Sequence, residues 1–137
     1  MAKNKERPIR YHCHKVRIGD AGSKGRGIFA VVPIERGEAV EVAPALKIPV
    51  ADIDAVNSTF LAYYSFLQRD GLELIGLGYI SLYNHSFEPN ATFVLMPRAI
   101  MITALRRIAE GEEISFDYGW TDDGFRSAGI EVPVSTT

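Results

Sequence analysis

Three short segments hold the residue types that could do chemistry. In the first, Lys24-Gly25-Arg26-Gly27-Ile28-Phe29-Ala30, two glycines let the backbone approach a ligand while two cations stand beside them. It is not a dinucleotide fingerprint, because the third glycine is absent and a strand pattern follows. By itself it reads better as a plain tight turn. In the second, Tyr83-Asn84-His85-Ser86-Phe87-Glu88-Pro89-Asn90, two amides, an imidazole and a hydroxyl follow the apolar run Tyr79–Leu82. Such a cluster at a strand end can hold a polar ligand, or it can be a polar turn whose Asn residues bond their own backbone. In the third, Gly111-Glu112-Glu113-Ile114-Ser115-Phe116-Asp117-Tyr118-Gly119, a strand delivers Tyr118 to a strand end, where its phenol enters a pocket or packs half-buried. Metal chemistry is not expected. Cys13 is the single cysteine, and His12 and His14 beside it lack a second ligand pair.

The elements that must position these segments are mostly strands. Short apolar runs at Val16–Ile18, Gly27–Val32, Ala39–Val42, Glu73–Ile75, Tyr79–Leu82 and Ile114–Phe116 are separated by Gly, Pro and charged turns. Ala91–Leu95 and Ile100–Leu105 flank Pro97-Arg98 and predict a hairpin, and Asn84–Asn90 predicts a loop. One helix is expected over about Ala51–Arg69, from the helical spacing of Phe60, Leu61, Tyr64 and Leu67. From Thr121 the pattern fades, although Phe125, Ile130 and Val132 remain able to dock. The expected fold is mainly β with one or two short helices.

The chain has 137 residues, 47% of them hydrophobic, enough for one domain with its own core. Residues 1–10 read as a flexible basic tail, residues 11–137 as a single domain, with the last residues after about 131 loose. No apolar run approaches the roughly 20 residues that cross a bilayer. The charged start has no apolar core and predicts no secretory signal. A reducing interior follows, cytoplasmic or, in a eukaryotic or viral setting, nuclear. Net charge is −2 but uneven. Residues 1–17 carry six cations against Glu6, whereas residues 108–131 carry Glu110, Glu112, Glu113, Asp117, Asp122, Asp123 and Glu131 against Arg126. The acidic end suits a cationic protein partner, or is simply a solvated face. The basic start lacks interleaved aromatics apart from Tyr11, so specific nucleic-acid binding is not expected.

Taken in order, the glycine turn with its strand, the Asn84-His85-Ser86 and Pro89-Asn90 pair, and Phe116-Asp117-Tyr118-Gly119 resemble the SET domain of protein lysine methyltransferases. The turn Glu35-Arg36-Gly37-Glu38 matches the same pattern, and the likeness spans roughly Lys15 to Trp120. The resemblance implies small twisted sheets of the β-clip type with a C-terminal pseudoknot, an exception to the rule against threaded chains. It implies S-adenosyl-L-methionine as cofactor, with Lys24, Gly25, Arg26 and Gly27 lining its pocket, Asn84 at its methionine end and His85 holding the adenine largely through its backbone. Tyr64 would lie at the cofactor's amino-acid part and share the catalytic work with Tyr118, the tyrosine at the methyl-transfer point. The substrate would be a lysine in a basic protein, histone-like, nucleoid or ribosomal.

The sequence departs from the pattern in lacking the flanking pre-domain of larger members and in its cysteines. Many members place a Cys after Asn-His-Ser and complete a zinc site with three later Cys; here the position is Phe87 and the later cysteines are absent. The lysine channel must then be closed otherwise, with Trp120 and Phe125 as candidates beside Tyr118. A homodimer is compatible with the short chain. The competing reading is a SET-like module that binds cofactor or peptide without catalysis.

Overall fold

The computed structural model describes residues 8–67 and 71–128. The expected tail and the loose end after 131 therefore lie largely or wholly outside the described residues, as do Ile130 and Val132. Among the described residues nine strands form two sheets. β1 (Val16–Asp20), β2 (Arg26–Ala30), β9 (Glu113–Phe116) and β6 (Asn84–His85) make a four-stranded sheet in the order β1-β2-β9-β6. β4 (Ser65–Leu67), β5 (Glu73–Gly76), β3 (Ala39–Lys47), β8 (Ala99–Ala104) and β7 (Ala91–Met96) make a five-stranded sheet in the order β4-β5-β3-β8-β7. Two short helices, α1 (Ile53–Asn57) and α2 (Asp122–Ser127), complete it. The mainly β expectation holds.

The core lies between the sheets and is aliphatic: Ile28, Ile34, Val40, Leu74, Ile100, Ile102, Ile108 and Ile114, with Tyr83 and Phe116. β-branched side chains suit this setting because their stiff χ1 packs well on a pleated surface. The hairpin of β7 and β8 is as expected, running from Ala91↔Ala104 to Met96↔Ala99. β3 is longer than the sequence suggested. It runs through Pro44, pairing with β8 up to that residue and with β5 from Ala45 onward. Proline removes one donor from the ladder, but it sits where the strand changes partner, and its carbonyl accepts from Leu77 N–H at 2.9 Å.

The expected helix over Ala51–Arg69 is broken into pieces. A 3-10 turn at Val50–Asp52 leads into α1, a second at Phe60–Tyr63 follows, and Ser65–Leu67 is strand. The cause is Asn57-Ser58-Thr59. Ser58 Oγ donates to Asp54 O (2.8 Å) and Thr59 Oγ1 to Val56 O (2.7 Å), and Thr59 Oγ1 accepts from Leu61 N–H (3.3 Å). Such side chains compete with the helical ladder and end it. The apolar spacing of Phe60, Leu61, Tyr64 and Leu67 does not reflect one buried face, since Phe60 and Leu67 are among the exposed residues.

Tyr79–Leu82 is also not a strand: Ile80–Leu82 forms a 3-10 turn. Gly78 at φ +61 turns the chain, and Tyr79 N–H is taken by the Glu41 carboxylate at 2.9 Å instead of a strand partner. The loop expected at Asn84–Asn90 begins as β6, which pairs in parallel with β9, Asn84 opposite Ser115 and His85 opposite Phe116. This parallel ladder joins the Asn-His-Ser segment to the strand that leads into Asp117-Tyr118-Gly119. Asn90 is buried and reinforces it, donating to Glu113 O (2.8 Å) and accepting from Ser115 N–H (3.0 Å).

Candidate active site

A cavity of about 260 Å³ opens where the two sheets meet. Lys24, Arg26, Tyr63, Tyr64, Ser81, Leu82, Tyr83, Asn84, Phe116, Tyr118 and Trp120 contribute to its wall. Of the residues singled out in the sequence, Lys24, Arg26, Tyr64, Asn84, Tyr118 and Trp120 are thus brought together. Gly25, Gly27, His85 and Phe125 are not among the residues that line it.

The polar end is organised by Glu113, the first residue of β9. Its carboxylate pairs with the Lys24 ammonium and accepts from Asn84 Nδ2 at 2.8 Å; Asn84 Nδ2 also donates to Arg26 O at 3.0 Å. Gly27 lies beneath this group. A Cβ there would stand 2.5 Å from Glu113 Oε2 and 2.8 Å from Asn84 Nδ2, so glycine is needed for the close approach. Gly25, at φ +84, faces open space, with no atom within 4 Å of where a Cβ would be. Sequence reasoning placed Glu113 in the third segment and in the acidic stretch but gave it no role at the site. Its position as first residue of a strand whose neighbours include the Asn-His segment was the missing signal, and only the parallel pairing supplies it. Glu112 is likewise committed internally, to Arg106. Asp117, Asp122 and Asp123 remain exposed, so the acidic surface is smaller than the composition implied.

The apolar end is a knot of rings. Tyr118 packs between Phe116 (5.5 Å between centroids, tilted) and Trp120 (5.0 Å, edge-on), and stacks on Phe125 behind it at 6.4 Å. Its hydroxyl donates to the Tyr83 carbonyl. Burial, reinforced by the nearby Tyr64 and Glu113, pushes the Tyr118 phenol up to about 12. At neutral pH it is therefore a hydrogen-bond donor, not a phenolate base.

α2, which the sequence reading did not anticipate, closes this end. Thr121 caps it, accepting from Gly124 N–H (3.3 Å), and Asp122 and Asp123 fall in its first turn, where the dipole favours them. Thr-Asp-Asp was a legible start signal; the shortness of the helix hid it. Phe125 is buried beneath Trp120 at 5.1 Å, so it backs the cavity wall and Trp120 forms it. Tyr63 ties the helix down, donating from its hydroxyl to Ser127 O at 2.8 Å.

His85 points away from the cavity. Its side chain is 4% exposed, enclosed by Phe87 (4.3 Å), Phe125 (4.8 Å) and Tyr118 (5.2 Å). Only its backbone is left to meet a ligand. Nδ1 accepts from Tyr118 N–H at 3.0 Å, which places the proton of the neutral ring on Nε2, buried without a hydrogen-bond partner. Burial lowers the His85 pKa from 6.5, only partly opposed by Asp117. The folded state thus prefers the neutral ring, and protonation would remove the acceptor that holds Tyr118 N–H. A depressed pKa gives stability that is full above the ordinary value and lost as pH falls through the folded one. We expect the urea midpoint to drop below about pH 6.5, His12 contributing in the same direction because burial lowers its pKa too. His85→Gln should flatten that slope; a variant curve parallel to the wild-type one would refute the assignment.

A comparison with known proteins matches the SET domain model to residues 25–119. A histone-lysine N-methyltransferase of Schizosaccharomyces pombe, specific for lysine 37 of H3, is 31% identical over 119 residues, 82% of this chain and 81% of that one. The crystal structure of a Plasmodium falciparum protein assigned as a histone methyltransferase superposes with a TM-score of 0.63 at 26% identity, covering 82% of this chain and 97% of that one. The chain belongs to the SET-domain family of protein lysine methyltransferases. No helix among the described residues is long and apolar enough to cross a membrane, and none of the described His, Cys, Asp and Glu cluster as a metal site.

Proposed function

We propose that the protein transfers methyl groups from S-adenosyl-L-methionine to a lysine in a basic, histone-like protein. The observation that carries this reading is the placing of Tyr118, hydrogen-bonded to the Tyr83 carbonyl, on the same cavity as Lys24, Arg26 and Asn84. The residues fit the cofactor. Lys24 and Arg26 offer charge to a carboxylate, Asn84 an amide, and the open space at Gly25 admits a ligand to the backbone. His85 would contribute backbone groups, and Tyr64, exposed at the rim, would lie at the amino-acid part.

When bound, the cofactor supplies a sulfonium methyl whose C–S bond breaks as the bond to the lysine nitrogen forms, the amine's proton passing to water. The chain's own contribution is positioning and exclusion of water. The rings of Phe116, Tyr118 and Trp120 form a wall that disfavours a lysine ammonium by desolvation, favouring the neutral amine that can attack. The same faces tolerate the cation on its way in. Tyr118, protonated at neutral pH, aims its hydroxyl and does not remove the proton. Trp120, held by α2, closes the channel in place of a zinc site. Exposed Asp117, Asp122 and Asp123 around Trp120 favour a cationic segment flanking the target. The names of the two relatives, both concerned with histones, favour that class over nucleoid or ribosomal targets.

The test is transfer of labelled methyl from S-adenosylmethionine to histones, nucleoid proteins and ribosomal proteins, with the modified amino acid identified. Label on lysine, strongest on histones, is expected. Cofactor binding by calorimetry with no transfer to any protein would favour a binding module, and absence of both would overturn the reading.

A further inference from the structure

Glu41 has no exposed surface, and no ion pair among the described residues includes it. A buried carboxyl without a cation is costly and calls for a reason. It lies on β3 where the pairing with β8 shifts register between Ala39 and Glu41, an irregularity of the kind that re-aims a side chain. One oxygen, Oε1, accepts from the Tyr83 hydroxyl at 2.7 Å; the other, Oε2, accepts from Tyr79 N–H at 2.9 Å. The carboxyl therefore grips both ends of the segment Tyr79–Tyr83. Gly78 presses on it from outside: a Cβ there would meet Oε2 at 2.5 Å.

The gripped segment is part of the cavity wall. Tyr83 is its critical member, because its two ends serve different purposes. Its ring lies in the core against Phe116 (5.6 Å) with the hydroxyl on Glu41, while its carbonyl accepts the Tyr118 hydroxyl. We propose that Glu41 is a positioning residue for methyl transfer, fixing through Tyr83 the carbonyl at which the Tyr118 hydroxyl is aimed. This rests on the methyltransferase reading given above. A short 3-10 turn has poor hydrogen-bond geometry of its own, so an external anchor at each end gives the wall the precision that in-line transfer needs. Reach, not charge, is the property used.

Three variants test it. Glu41→Asp keeps the charge and withdraws the carboxyl by one carbon. Glu41→Gln removes the charge and keeps the reach, since its amide can accept from Tyr79 N–H and donate to the Tyr83 oxygen. Tyr83→Phe cuts the link while retaining the backbone carbonyl group, now without its anchor, and stands in for Glu41→Asp should that variant not fold. For Glu41→Asp and Tyr83→Phe, kcat should fall about tenfold or more while KM and the cofactor Kd stay within about threefold. Glu41→Gln should retain at least about a third of the turnover. A second readout needs no activity: in the unliganded protein labelled with ¹³C-tyrosine, the Tyr118 ring signal should move in Glu41→Asp and Tyr83→Phe and stay in Glu41→Gln. Wild-type turnover in both disruptive variants with an unmoved Tyr118 signal would overturn the proposal, as would equal losses in Glu41→Gln and Glu41→Asp. A wild-type protein that methylates nothing would sink the enzymatic reading, and the ring signal would still decide whether Glu41 sets Tyr118.

Discussion

Tyr118→Phe should slow methyl transfer by at least about tenfold, equivalent to about 1.4 kcal/mol of transition-state stabilisation, and leave the affinity for S-adenosylmethionine unchanged. The substitution deletes one hydroxyl. The ring keeps its neighbours Phe116, Trp120 and Phe125, and the backbone N–H keeps its bond to His85 Nδ1. What is lost is the bond to the Tyr83 carbonyl, and with it the fixed dipole at the proposed transfer point. The fold should lose only about 1 kcal/mol, the net worth of one hydrogen bond. Single-turnover kinetics with saturating cofactor separate the two effects. Turnover equal to wild type would remove Tyr118 from the reacting centre. Because burial holds the phenol near 12, the rate of the wild-type enzyme should rise with deprotonation of the substrate lysine. A rate loss from ionisation of Tyr118 should not appear below about pH 10.

The second large effect is expected at Gly27, from a single methyl group. In Gly27→Ala the new Cβ meets Glu113 Oε2 at 2.5 Å and Asn84 Nδ2 at 2.8 Å. Both are the far ends of flexible side chains, so the polar pair moves, and the Ala21 Cβ at 3.1 Å has to give only a few tenths of an ångström. Cofactor affinity should then fall by about 10- to 100-fold, the loss of one charge-assisted hydrogen bond converted at 1.4 kcal/mol per decade. Melting should stay close to wild type. Calorimetric titration with S-adenosylmethionine beside a thermal melt checks both halves. Unimpaired binding would take Asn84 and Glu113 out of the cofactor site, and a collapsed melt would mean that the methyl had instead broken the sheet.

How much of this was legible beforehand follows from how local each feature is. The β-rich class, the β7–β8 hairpin and the strands holding Ile28 and Ile114 are set by short apolar runs and turn residues, which act over a few positions. The helix over Ala51–Arg69 failed for an equally local reason that the periodicity concealed: Ser58 and Thr59 bond the backbone carbonyls behind them. Tyr79–Leu82 failed for a distant one, since the partner that bends it, Glu41, comes from another sheet strand 38 positions away.

By itself, the sequence determined the residue types and their order: glycines and cations, then Asn-His-Ser, then Asp-Tyr-Gly. Within these 137 residues it also offers a single cysteine, Cys13, and Phe87 after Asn-His-Ser. Only the tertiary structure decided which of them meet. The parallel pairing of β6 with β9 brings Asn84 and Tyr118 to one cavity and turns the His85 side chain away from it. It likewise makes Glu113 the anchor of Lys24 and Asn84, and α2 the support of Trp120. These partners are long-range in sequence. Their identity depends on register and on burial, which sum over the whole chain and are carried by no short segment.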